Sequence, residues 1–180
     1  MEKKTVVRLG RTAALVSASV GLVVTMSVPA SAQPTDTITS KNTGFCLEIG
    51  GWNTANGAKA DQWPCGAGGQ ANQQWLSNGN WGWGWAPLIN KHSGKCLEVG
   101  GWSTQWGAAV NQWDCGRDEA GRYVQDNQLW KKVWGSDPNY SYIVNKHSGQ
   151  CLEVGGWSTQ WGAAVNQWPC GTDQANQLWF

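Results

Sequence analysis

Glu48, Glu98 and Glu153 each follow a Cys-Leu pair, and each is accompanied downstream by a Trp and by two adjacent side-chain amides. The Trp residues are Trp63, Trp113 and Trp168, two positions before a second Cys, and two positions before each of them stands Asp61, Asn111 or Asn166. The amides are Asn72-Gln73, Asn127-Gln128 and Asn176-Gln177. A carboxylate accepts hydrogen bonds, an amide both donates and accepts, and an indole presents an apolar plane. Singly, the acids read as exposed strand carboxylates and the amides as caps on turn backbone. The whole set recurring three times favours binding, because convergent polar groups beside aromatics mark small-molecule sites.

The same residues are poorly equipped for catalysis. Glycoside hydrolysis uses two carboxyl groups about 5–10 Å apart, and two of the three sets hold one clear carboxylate; only the first pairs Glu48 with Asp61. No nucleophile–base constellation is visible. A zinc site lacks both a Cys-x-x-Cys pair and enough histidines, since His92 and His147 occupy equivalent turns in separate copies. No cofactor, no metal and no enzymatic activity are expected.

What must position these residues is a repeat. Residues 90–116 and 145–171 differ at two of 27 positions, Lys95 against Gln150 and Asp114 against Pro169, and residues 40–66 form a third, more divergent copy that aligns without a gap. Each copy is followed by an Asn-Gln-x-Trp tail. A period of about 50 residues implies stacked supersecondary units, none able to bury its apolar face alone. Each unit (approximately residues 37–84, 85–139 and 140–180) reads as four short strands, twelve in all: a lead strand, a Cys-Leu-Glu-Ile/Val strand broken by Gly-Gly, a strand ending in Gln-Trp-x-Cys, and the tail. Alternation places Leu47 and Ile49 opposite Glu48. Between the first two units, Asn78-Gly79 reads as a turn, and Trp81, Trp83 and Trp85 share a face if extended. That stripe reads first as an intersubunit packing surface and second as an aromatic platform. The second unit carries extra charged residues, 116–130, expected to form a solvated loop.

Residues 1–32 stand apart. Lys3, Lys4, Arg8 and Arg11 precede a run of Ala, Val, Leu, Gly and Ser that ends at Ala30-Ser31-Ala32, the pattern of a cleaved secretory signal peptide. Its removal takes four of the 13 basic residues and one of the 12 acidic ones, leaving 33–180 near −2 with no basic cluster. Nucleic acid is therefore an unlikely partner, and no later stretch is apolar and long enough to enter a membrane. Leu, Ile, Val and Phe number only 20 in that span, so the 15 Trp must supply much of the core of a single domain. Six cysteines in a secreted chain argue for disulfides. They fall as Cys46/Cys65, Cys96/Cys115 and Cys151/Cys170, each 19 apart, and the repeat favours one bridge per unit.

Three copies of Cys-Leu-acid, Trp-x-Cys and Gln-x-Trp (Gln73–Trp75, Gln128–Trp130, Gln177–Trp179) resemble the ricin B-chain lectin family over essentially all of residues 40–180. The resemblance implies an all-β β-trefoil of three four-stranded units with pseudo-threefold symmetry, its tail Trp residues packed about the axis. It also implies a secreted, non-catalytic carbohydrate-binding protein with up to three shallow sugar sites, galactose or a related sugar leading. In each site the resemblance assigns Glu48, Glu98 or Glu153 to sugar hydroxyls and Trp63, Trp113 or Trp168 to the apolar sugar face. Asp61, Asn111 and Asn166 stand where the family usually has Gln, and the tail amides close the pocket edge. Glu in place of the commoner Asp lengthens the acid arm by one methylene. Trp106 and Trp161 compensate with an aromatic wall, where the first unit has Asn56. The competing readings are a protein-binding trefoil, such as a protease inhibitor, and, more distantly, a glycosidase.

Overall fold

A computed structural model describes residues 35–77 and 82–180. The leader (1–32), the Asn78-Gly79 turn and Trp81 lie outside the described residues. Twelve strands are present among them, in 4-5-3 order rather than four per unit. The first unit holds β1 (Thr35–Thr37), β2 (Cys46–Ile49), β3 (Ala60–Trp63) and β4 (Gln74–Leu76). The second holds β5 (Ala86–Pro87), β6 (Ile89–Asn90), β7 (Cys96–Val99), β8 (Val110–Trp113) and β9 (Leu129–Trp134). The third holds β10 (Ser141–Asn145), β11 (Cys151–Val154) and β12 (Ala163–Trp168). The strands form two antiparallel sheets, ordered β1-β4-β6-β7-β8 and β2-β3-β12-β11-β10-β9-β5. The third tail forms no strand of its own; instead Trp179 bridges both Ser40 and Ser141. Thr39 and Phe180 exchange backbone hydrogen bonds at 2.9 and 3.0 Å, which ties the third tail to the first unit.

The tails differ from a plain strand in a way that matters for the site. Ala71–Gln73, Asp126–Gln128 and Ala175–Gln177 are single 3-10 turns, and the chain becomes extended only afterwards. Neighbouring residues on a strand face opposite ways. The turn instead buries both amides, since Asn72, Gln73 and their counterparts are all at most 2% exposed.

The core is what the repeat requires. Trp75, Trp130 and Trp179 are 0–1% exposed and pack with Leu47, Leu97, Leu152 and their strand neighbours. Each indole N–H donates to the carbonyl of Leu47, Leu97 or Leu152 at 2.9–3.0 Å. That satisfies the one polar atom on each ring, so burial of its apolar area, at about 25 cal/mol per Å², stabilises the fold by about 4–6 kcal/mol per Trp. Disulfides link Cys46–Cys65, Cys96–Cys115 and Cys151–Cys170, one within each unit. The insertion in the second unit is an exposed turn held by an Arg122–Asp118 ion pair and by Arg117 over the Tyr123 ring. Trp83 is 96% exposed, and Trp85 lies under the Lys131 ammonium; neither is packed in the core.

Candidate functional site

Strand register builds the same cup three times. Glu48 pairs across strands with Asp61, Glu98 with Asn111 and Glu153 with Asn166. Two residues further along, Trp63, Trp113 and Trp168 share that face. Gly50-Gly51-Trp52 then leaves the strand as a 3-10 turn, as do its counterparts. The two glycines act differently. Asp61 Oδ2 lies 2.4 Å from where a Cβ on Gly50 would stand, so the first glycine makes room for the cross-strand side chain. The second, Gly51, has φ of 62°, a left-handed turn that L side chains resist.

That turn brings in residues the sequence reading left out. Trp52, Trp102 and Trp157 hold φ of 55–56°, unusual for so bulky a residue, and are about half exposed. Each forms the second indole wall of its cup. The first cavity, of about 270 Å³, is lined by Glu48, Gly51, Trp52, Asp61, Trp63 and Gln70. The second, about 340 Å³, is lined by Glu98, Gly101, Trp102, Trp113, Gln125 and Asn127, and the third, about 330 Å³, by Glu153, Gly156, Trp157, Trp168, Gln174 and Asn176. The only sequence signal for these Trp residues is the invariable Gly-Gly-Trp in each copy, which reads first as a strand break.

The carboxylates at the cup floors are 5–6% exposed and held from behind. Gln73 Nε2 donates to Glu48 Oε2 at 2.7 Å, Gln128 to Glu98 at 3.0 Å and Gln177 to Glu153 at 3.0 Å. Asn127 and Asn176 add donations to the same oxygen at 3.2 and 3.3 Å, and Asn72, Asn127 and Asn176 donate to the carbonyls of Ile49, Val99 and Val154. The insertion before Asn127 leaves this geometry unchanged. In each case Oε2 takes the amide protons, and Oε1 receives no hydrogen bond from the described residues.

Burial pushes all three glutamates above the usual carboxylate range, and the amide donors pull back against it. Asp61 goes further, to about 7, through desolvation first and the adjacent Glu48 charge second. Asn111 and Asn166 avoid this, and their amides lie over Gly100 and Gly155 rather than lining the second and third cavities. Gln73, Gln128 and Gln177 lie behind the carboxylates and orient them, out of reach of the cup mouths. Asn127 and Asn176 line their cups, whereas Asn72 is not part of the first cavity wall.

The aromatic wall from the loops comes from a neighbouring unit. Trp161 of the third unit packs on Trp63 of the first (centroids 5.7 Å apart), and Trp106 of the second packs on Trp168 of the third (5.9 Å). The Asn56 loop of the first unit reaches the second, where Asn56 Nδ2 donates to Asp114 Oδ2 at 2.8 Å. So it is the second cup, and not the first, that lacks a loop indole. A fully buried glutamine fixes each exchange: Gln62 Nε2 donates to Ser158 and Gln160 carbonyls, Gln112 to those of Asn53 and Ala55, and Gln167 to those of Ser103 and Gln105. The two histidines also join units, His92 edge-on to Trp52 and His147 edge-on to Trp102.

Comparison with known proteins gives a concordant result. A family model described as ricin-type beta-trefoil lectin domain-like matches residues 27–113 and 126–180. Among solved structures, the designed threefold-symmetric protein ThreeFoil is 34% identical, with a TM-score of 0.69 over 79% of this chain and 94% of that one. An exo-β-1,3-galactanase from Clostridium thermocellum is 27% identical with a TM-score of 0.69, over 85% of this chain but 30% of that enzyme. The C-terminal half of an earthworm R-type lectin, solved with GalNAc, shares the fold at 17% identity and a TM-score of 0.58, over 80% of this chain and 94% of that one. No curated protein sequence matches.

Proposed function

We propose that this chain, which belongs to the ricin-type β-trefoil lectin family, binds carbohydrate without catalysis through three shallow cups. The observation that carries the reading is the carboxylate at each floor. Its Oε2 is fixed by tail amides while Oε1 has no hydrogen-bond partner among the described residues, and it lies between two half-exposed indoles. A sugar ring offers hydroxyls at its edge and C–H groups on its face, which match a carboxylate oxygen and an indole plane respectively. Galactose or a related sugar is favoured, because the counterpart at 27% identity is found in a galactan-cleaving enzyme. Secretion is supported by the 1–32 leader pattern and by three disulfides.

A cup that makes a few hydrogen bonds and two stacking contacts binds a monosaccharide weakly, with Kd of about 1 mM. Three such cups facing a dense glycan surface raise avidity by about 10²-fold or more. The test is binding of residues 33–180 to an immobilised glycan panel, repeated with Glu48→Gln, Glu98→Gln and Glu153→Gln together. Loss of one charged hydrogen bond per cup lowers affinity by about tenfold or more. Retained binding by the triple variant removes the carboxylates from the site. A target bound without competition by free sugar favours the protein-binding reading, and release of reducing sugar favours a glycosidase.

A further inference from the structure

Two loop indoles stand exposed against the stacking Trp residues of the first and third cups. Trp161 and Trp106 are 65% and 68% exposed, far more than a packing role needs. Neither lines the cavity it neighbours; each lies just outside, against the stacking Trp63 or Trp168 at a tilt of 55° or 51°. The backbone beneath them is held firmly. Gly162 N and Gly107 N donate to the carbonyls of Gln62 and Gln167 at 2.8 and 2.9 Å, in addition to the glutamine side-chain clamps. A mobile loop would lose its exposed Trp to any packing partner, whereas this one is fixed with its face to solvent.

The second cup has been changed as a set. Where the others have a loop Trp, it has Asn56, and where they have Pro64 or Pro169, it has Asp114, which hydrogen-bonds Asn56 and forms an ion pair with Lys95. Lys95 and Asp114 are the two positions at which the second and third copies differ. Both differences therefore fall beside the Asn56 loop, through the Asn56–Asp114 hydrogen bond and the Lys95–Asp114 ion pair.

On the reading that the cups hold sugars, the geometry points to two kinds of site. The first and third cups are extended sites for an oligosaccharide, the inner ring over the carboxylate and the next ring on Trp161 or Trp106. The second cup is a single-ring site with a polar rim. Trp106 and Trp161 thus set chain-length specificity, each acting on the cup of the unit that follows its own.

The experiment compares the 33–180 protein with Trp106→Ala/Trp161→Ala by titration calorimetry. The probes are matched mono- and disaccharides of galactose, N-acetylgalactosamine, xylose and glucose. Thermal unfolding checks that the fold is kept, which exposed side chains permit. The wild type is expected to bind a disaccharide more tightly than its own monosaccharide. The double variant should lose about three- to tenfold more on the disaccharide than on the matched monosaccharide, the scale of one aromatic contact. Asn56→Trp tests the converse, a gain in disaccharide affinity at the second cup. Equal losses on both probes, or no loss on either while monosaccharide still binds, overturns the extended site and leaves the single-ring cups standing. Absence of binding to every sugar overturns the proposed function itself, and the extended site with it.

Discussion

Replacing Asp61 with Asn should stabilise the protein at neutral pH and change nothing in acid. Asp61 faces Glu48 directly across β2 and β3, its Oδ1 is buried without a hydrogen-bond partner, and its carboxyl is held at about 7 rather than 3.8. Because the folded-state value is the higher one, the folded protein binds this proton more tightly than the unfolded chain does. The group's contribution to stability is therefore intact below about pH 4 and is lost progressively as pH rises through about 7. The span from 3.8 to about 7, at about 1.4 kcal/mol per pH unit, sets a ceiling of about 4 kcal/mol on the penalty. Solvent reaching the cup screens part of it, leaving about 1–3 kcal/mol. Asn is already the residue at the equivalent positions 111 and 166, with the amide over Gly100 and Gly155, so the substitution introduces no new shape. Urea unfolding of both proteins from about pH 3.5 to about pH 8 gives the difference directly. It should be near zero at the acid end and reach its plateau above about pH 7.5. A gain that is the same at every pH, or none at pH 8, refutes the electrostatic account of the Glu48–Asp61 pair.

Other perturbations follow from the same contacts. Gln177→Ala removes donations to Glu153 and the Pro169 carbonyl and an acceptor for Gly171 N–H, stranding buried groups at a cost of about 2–4 kcal/mol in urea unfolding. Gly101→Ala forces a side chain into φ of 61° and should cost about 1–2 kcal/mol, read by thermal unfolding, while displacing Trp102 and weakening ligand at the second cup alone. Opening one bridge with Cys151→Ser/Cys170→Ser should cost about 3 kcal/mol, and reduction by dithiothreitol should destabilise the wild type further, because it opens all three.

The threefold plan was legible because it is written into local spacing. Cys pairs 19 apart, the Cys-Leu-Glu strand and the Gln-x-Trp tail each follow from a motif read in place, and the tail Trp residues are buried as the repeat requires. Two kinds of information were not local. The Trp52 type of wall depends on a left-handed backbone two glycines into a turn, and a strand-breaking Gly-Gly does not say where the next side chain points. The exchange of loops between units depends on glutamine clamps whose partners are 57 to 98 residues apart in sequence, such as Gln112 with Ala55 and Gln62 with Gln160. Reading Trp106 and Trp161 as additions to the cups of their own units was natural from the alignment, and the Gln62, Gln112 and Gln167 clamps show why they serve the next one. Of the tail amides, Asn127 and Asn176 line their cups, whereas Gln73, Gln128 and Gln177 lie behind the carboxylates: a strand would expose one of each pair, and the 3-10 turn buries both.

This exchange makes the ring of three units a condition for the sites as well as for the core. An excised unit would keep its glutamate, its two indoles and its disulfide, yet lose the loop that braces its stacking Trp. Gly57, Gly107 and Gly162 each approach the following unit's indole so closely that an added Cβ would touch it, at 3.7, 3.3 and 3.6 Å. Closure is completed by the third unit, which supplies Trp161 to Trp63 and ties Phe180 to Thr39. Opening that closure should therefore reach the first cup before the others. A Trp179→Ala variant, which empties the core beneath the closing bridge at a cost of about 3–5 kcal/mol, would blunt binding at the cup around Glu48 although Glu48, Trp52 and Trp63 are untouched. A loss confined instead to the cup around Glu153, the one nearest in sequence, would mean that the cups are independent modules and that the exchanged loops are only packing.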